Sequence, residues 1–112
     1  MGQTTPSYVS SKHKDWIFSI SHHRPNDIDR LSNPIEGVVY LVFGDHVSAS
    51  GLPYIQGAVS FNERKTKEEV IDVLGRGYYT VSANLPLSIA YTKRAGNAIE
   101  WGTPPSTEMK FH

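Results

Sequence analysis

Tyr54-Ile55-Gln56-Gly57-Ala58-Val59-Ser60-Phe61 decides the fold class of this chain. The stretch alternates with period two. Ile55, Val59 and Phe61 fall on one face with Gly57 between them, while Tyr54, Gln56, Ala58 and Ser60 fall on the other. A strand with one greasy and one mixed face belongs to a sheet that has a layer packed against it. Upstream, Val38-Val39-Tyr40-Leu41-Val42-Phe43 is an unbroken β-favouring run and reads as a central strand buried on both faces. Between the two, Gly44 to Gly51 is rich in Gly, Ser, Asp and His and reads as a loop or hairpin end. Farther back, Trp16-Ile17-Phe18-Ser19-Ile20 predicts a strand with Trp16, Phe18 and Ile20 on one face. Ile28 and Leu31, spaced three apart after Pro25, predict a short helix.

Downstream, Thr66 stands three residues before Glu69, the spacing of a capping box, and Val70, Val73 and Leu74 follow at helical intervals until Gly75. Tyr78 to Val81 reads as a strand. Asn84 with Pro86 opens a second full helix carrying Leu87, Ala90, Tyr91 and Arg94 on overlapping faces, which Gly96-Asn97 would end. Ile99 to Trp101 would be a last edge strand. The order β, α, β, β, α, β, α, β predicts an α+β fold, an antiparallel sheet packed with helices on one side and open to a ligand on the other.

Composition narrows the chemistry. At 112 residues the chain is expected to be one domain: residues 1–13 a flexible tail, 14–105 the folded unit, 106–112 the start of a linker. No cysteine is present, which excludes disulfides, thiolate metal sites and a cysteine nucleophile. The longest apolar run falls far short of the roughly 20 residues of a membrane helix, so no membrane partner is expected, and no secretion signal is read. Lys and Arg number 11 and so do Asp and Glu, so net charge gives no argument for nucleic acid. There is no GxxxxGK[ST] phosphate loop, HExxH or GxSxG.

What remains is a small set of polar residues. Tyr54 and Gln56 project from one strand face about 7 Å apart, either as a ligand platform or as an ordinary solvated face. Tyr91 is a nucleophile candidate or a half-buried helix residue, and Arg94 points the same way one turn on. Asp45-His46 and His22-His23 suit a divalent cation or face solvent.

Taken together in order, these stretches resemble the N-terminal domain of the replication initiator (Rep) proteins of circular single-stranded DNA viruses, the circovirus and nanovirus branch of the HUH endonuclease superfamily. Trp16-Ile17-Phe18-Ser19-Ile20-Ser21 is similar to the family's first motif, W-x-F-T-L-N. Gly51-Leu52-Pro53-Tyr54-Ile55-Gln56-Gly57 is similar to the second, G-T-P-H-L-Q-G. Tyr91-Thr92-Lys93-Arg94-Ala95-Gly96-Asn97 is similar to the third, Y-x-x-K-E-G-N. The likeness spans roughly Asp15 to Pro105. It implies a five-stranded antiparallel sheet flanked by helices, as in an RNA-recognition motif. The implied activity is a site-specific single-stranded DNA endonuclease and nucleotidyltransferase of rolling-circle replication. Such an enzyme nicks and rejoins viral origin DNA through a 5′-phosphotyrosine intermediate. It would work in the host nucleus, with a helicase domain following the linker.

The resemblance also implies roles. Tyr91 would be the nucleophile, with Arg94 beside it. Mn²⁺ or Mg²⁺ would be held by Asp45 and Gln56. Lys14, Trp16, Ser19, Ser21, Arg64, Lys65 and Lys93 would contact DNA. Two residues depart from the pattern. Tyr54 stands where the family has a ligating His, so His46, or else His22 or His23, would have to supply the nitrogen for a site at Tyr54. Arg94 stands where the family has Lys and, staying protonated, cannot transfer protons. The alternative these departures leave open is a module on the same fold that binds single-stranded nucleic acid without cutting it.

Overall fold

β3 (Pro53–Lys65) is the middle strand of a five-stranded antiparallel sheet in the computed structural model, which describes residues 11–105. β1 (His13–Ser21) lies on one side of it and β2 (Val38–Val47) on the other. The outer strands β4 (Tyr78–Val81) and β5 (Ile99–Gly102) complete the order β4-β1-β3-β2-β5. Three helices connect them: α1 (Pro25–Ser32), α2 (Lys67–Leu74) and α3 (Leu85–Lys93). The chain is thus α+β, with the predicted element order.

Alternation along β3 sorts the molecule into two layers. Ile55, Val59 and Phe61 join Trp16, Phe18 and Ile20 of β1 against Leu31 of α1 and Val70 and Leu74 of α2. Gly57 lies on this face where there is no room for a side chain. A Cβ there would meet Phe18 Cζ at 2.3 Å and the Val42 carbonyl oxygen at 2.5 Å. Ala58 faces the other way and joins Tyr40, Val42 and Leu85, with Ile17 and Ile89 packed at its margin. Both faces therefore carry helices: α1 and α2 cover one, and α3 covers part of the face expected to be open.

Local chemistry sets the helix ends. Thr66 accepts from the Glu69 amide at 3.2 Å, and Glu69 accepts from the Thr66 amide at 2.8 Å. Gly75, at φ 93°, stops α2 while its amide donates to the Ile71 carbonyl at 2.7 Å. Asn84 Oδ1 accepts from the Leu87 amide at 3.1 Å to start α3. That helix ends at Lys93, before the Gly96-Asn97 stop, with Arg94 as its C-cap.

Other expectations shift. β2 runs on through Asp45, His46 and Val47, where a loop was expected, because Asp45 pairs with Ile55 and His46 with Tyr54. Paired backbone outweighs the weak strand preference of Gly, Asp and His. β2 is interior, not central, and is fully buried only from Tyr40 onward, since Val39 is exposed. His13 already belongs to β1, and the tail over 1–10 and linker over 106–112 lie outside the described residues.

Asp27 ties α1 to its surroundings. It accepts from the Arg24 amide at 2.9 Å and from Arg30 Nη1 at 3.0 Å, and Arg30 Nη2 donates onward to the Leu74 carbonyl at 2.9 Å. The Arg24 amide, opposed by burial and aided by Arg30, holds the Asp27 carboxyl below its ordinary value of 3.8. A lowered folded value makes this contribution complete above about pH 4 and removes it as pH falls through the folded value. Asp27→Asn is therefore expected to cost about 1 kcal/mol at pH 7. The gap to the parent in denaturant melts should close as pH falls through the lowered folded value.

Candidate functional site

Between α3 and the β4 side of the sheet lies a cavity of about 730 Å³, and the strand register shows how it is built. Ser19 pairs with both Tyr78 and Gln56, and Gln56 pairs with Gly44, giving a row Tyr78–Ser19–Gln56–Gly44 across four strands. The neighbouring row is Ser21–Tyr54–His46. Ser19, Tyr54, Gln56 and Tyr78 line the cavity. α3 packs on Tyr40, Val42 and Ala58 and reaches the Gly44 and His46 ends of these rows through Thr92 and Tyr91. Its outward side, with Leu87, Ala90, Tyr91 and Arg94, forms the opposite wall.

Tyr91 is 44% exposed, so its ring is reachable from solvent. Its centroid stacks 5.4 Å from the His46 ring, which in turn lies 5.8 Å from the Tyr54 ring. Arg94 Cζ sits 5.6 Å from the Tyr91 centroid, a cation–π contact that keeps a permanent positive charge beside the phenol. His46 Nε2 is 3.2 Å from the Thr92 carbonyl. A carbonyl only accepts, so that nitrogen carries the proton and Nδ1 of the neutral ring is free to accept. Burial first, then the adjoining Tyr91 hydroxyl, push the Tyr54 phenol above its ordinary value, so it stays protonated at neutral pH. Gln56 is only 7% exposed. Its Nε2 donates to the Gly57 carbonyl at 3.2 Å, which orients the amide, and its Oε1 has no partner.

Tyr91, Arg94, His46, Tyr54 and Gln56 thus come together, and Ser19 and Ser21 share their face. Asp45 does not join Gln56: pairing with Ile55, it leaves the opposite side of β2, and it borders a separate groove along with His46, Tyr91 and Asn97. Trp16, expected to contact DNA, is 3% exposed on the α1/α2 face, where its indole N–H donates to the His13 carbonyl at 2.9 Å. It is core. Lys14 and Arg64 border a basic pocket with Lys12 and His13 at the far end of β1, about 20 Å from Ser19 along the strand. Lys65 lies 5.9 Å over the Phe61 ring. Lys93 is ion-paired with Glu100, which also accepts from the Tyr40 hydroxyl at 2.9 Å. His22 and His23 border a third pocket that Tyr54 shares, and His23 Nδ1 is buried without a partner.

The sequence reading missed Tyr78, 71% exposed, and gave no binding role to Leu87, 66% exposed. Alternation of Tyr78 with buried Tyr79 signals an outward Tyr78, but which face that is depends on β4 pairing with β1.

For a divalent cation the neutral donors are Gln56 in the cavity and His46 in the adjoining groove, on either side of a protonated phenol. Mn²⁺ and Mg²⁺ sites are normally anchored by carboxylate, and Asp45 borders the adjoining groove with His46, Tyr91 and Arg94 rather than the cavity. Among the described residues no three His, Cys, Asp or Glu converge. Of the expected ligands, Tyr54 lies beside His46 and lines the cavity with Gln56, while Asp45 shares the adjoining groove with His46. Tyr54→His adds an imidazole next to both neutral donors and should raise Mn²⁺ affinity at least about tenfold by calorimetry. An unchanged affinity would mean residue 54 does not share a ligand position with Gln56 and His46.

No family model matches the chain, and no curated protein matches it. No helix among the described residues is long and apolar enough to cross a membrane.

Proposed function

We propose that this domain cleaves and rejoins single-stranded DNA, as the resemblance to Rep initiators implies, with Tyr91 as the nucleophile. The observation that carries the reading is Tyr91 itself: a solvent-reachable phenol at the mouth of an aromatic cavity, with the Arg94 guanidinium against its ring and Gln56 in the same cavity. In the forward step Tyr91 Oη bonds to phosphorus and the bond from phosphorus to O3′ breaks. The phenol proton ends on O3′, giving a 5′-phosphotyrosine and a free 3′-hydroxyl. Attack by a 3′-hydroxyl reverses these changes and rejoins the strand. A free phenol near pKa 10 is about 0.1% ionised at neutral pH, so rate has to come from orientation and from charge facing the phosphate. Stacking on His46 limits the Tyr91 ring to one side, and Arg94 supplies charge that does not depend on pH. A following helicase domain and work in a host nucleus belong to the same proposal.

The test is incubation with a pool of single-stranded oligonucleotides. Mn²⁺ is included because the resemblance implies a divalent cation. Denaturing gels would be read for a covalent adduct, and mass spectrometry would assign it to a residue. An adduct on Tyr91 supports the proposal. Oligonucleotide bound with no adduct across the pool would favour the second reading, a binding module that does not cut. The orientation of Asp45 and the phenol at position 54 favour that reading.

A further inference from the structure

One polar atom in the cavity has nothing to bond. Gln56 is more than nine-tenths buried, one N–H of its amide is held by the Gly57 carbonyl, its Oε1 is buried without a partner, and the residue lines a cavity whose other walls are largely aromatic and aliphatic. A buried acceptor left unpaired is costly, so a ligand that fills this space gains by bringing an N–H to it. Tyr78 stands two strands away in the same row, about 10 Å across, with only the small Ser19 between them. Tyr78 is the most exposed aromatic bordering the cavity, and Leu87 faces it from α3, also exposed. A flat, π-faced body with an amine on its edge satisfies every element of this wall: the ring lies against Tyr78 and Leu87, and the amine donates to Gln56 Oε1.

We infer that the cavity is a nucleobase subsite and that Gln56 reads an amine-bearing base, as against thymine, through its lone carbonyl oxygen. The assignment rests on the single-stranded DNA reading above and adds to it a base preference. Cytosine N4, adenine N6 and guanine N2 each project an amine that can reach the amide oxygen. Thymine has no such amine, and its ring N–H lies between two carbonyls that would turn toward the same oxygen. One N–H of Gln56 is held by the Gly57 carbonyl, which keeps the amide from exchanging the places of its oxygen and nitrogen. Stacking on Tyr78 is indifferent to base identity, so it sets affinity and Gln56 sets choice.

The experiment is fluorescence anisotropy at pH 8 in EDTA with three short labelled oligomers: dC, dT, and the dC analogue with hydrogen in place of the 4-amine. The parent should bind dC about fivefold tighter than either of the others, the worth of one hydrogen bond. Gln56→Leu should erase the difference between dC and dT, and Tyr78→Ala should weaken both about tenfold. If dC, dT and the analogue bind equally, base reading by Gln56 is overturned while the single-stranded DNA reading stands. A preference that appears only when Mn²⁺ replaces EDTA also overturns it, because the Gln56 oxygen would then be serving a cation. No binding of any oligomer overturns both. The analogue arm uses the parent protein, so the test survives a Gln56→Leu that fails to fold.

Discussion

Tyr91→Phe is expected to abolish the covalent protein–DNA adduct, lowering its rate at least about 10³-fold, to the limit of detection. The change removes one oxygen and nothing else. Tyr91 is 44% exposed and stacks on His46 through its ring, a contact phenylalanine keeps. The melting temperature should therefore stay within about 3 °C of the parent. This pairing of lost chemistry with an unmoved fold distinguishes a nucleophile from a packing residue. An adduct that persists in Tyr91→Phe would move the chemistry to another residue. A large fall in melting temperature would mean that the hydroxyl has a structural bond.

The second large effect concerns the sheet. Gly57→Ala is expected to destabilise the domain by about 3 kcal/mol, lowering its melting temperature by about 15 °C. The added methyl meets the Phe18 ring at 2.3 Å and the Val42 carbonyl at 2.5 Å, and the latter is backbone of a neighbouring strand that cannot turn aside. Gly51→Ala is the natural comparison. Nothing lies within 4 Å of a Cβ there, but φ is +87°, so the cost is backbone strain alone, about 1 kcal/mol. A Gly57→Ala protein as stable as Gly51→Ala would mean that β1, β2 and β3 are not packed as described. Because the Gly57 carbonyl also holds the Gln56 amide, a strand displaced at Gly57 disturbs the cavity as well as the core.

Much of the architecture is visible in local patterns. The alternation of Tyr54 to Phe61, the Thr66/Glu69 box and the Asn84-Pro86 start are short-range chemistry, and each acts in the structure as the spacing implies. The failures share a different cause. Asp45 was placed beside Gln56 by the resemblance, with a loop expected over Gly44 to Gly51, whereas β2 continues as strand to Val47. There one step of register decides which side a carboxylate leaves. Trp16 was grouped with DNA contacts from a motif, although its alternation with Phe18 and Ile20 already put it with core residues; the α1/α2 layer buries that whole face. Tyr78 went unnoticed because a four-residue strand says little until its partner is known. Parity within a strand is local information, but the identity of each face comes from pairing across the chain. Tyr91 and Arg94 come to His46 and Gln56 because α3 packs across β2 and β3 on that face.

The brevity of β4 and β5, four residues apiece, also bears on behaviour at high concentration. Each flank of the molecule offers a stranger's backbone only a few unclaimed amides and carbonyls. A flanking ladder that short gives little template for ribbon growth. The long hydrophobic strands most able to nucleate fibrils, β2 and β3, are shielded on both sides by chain of the same molecule.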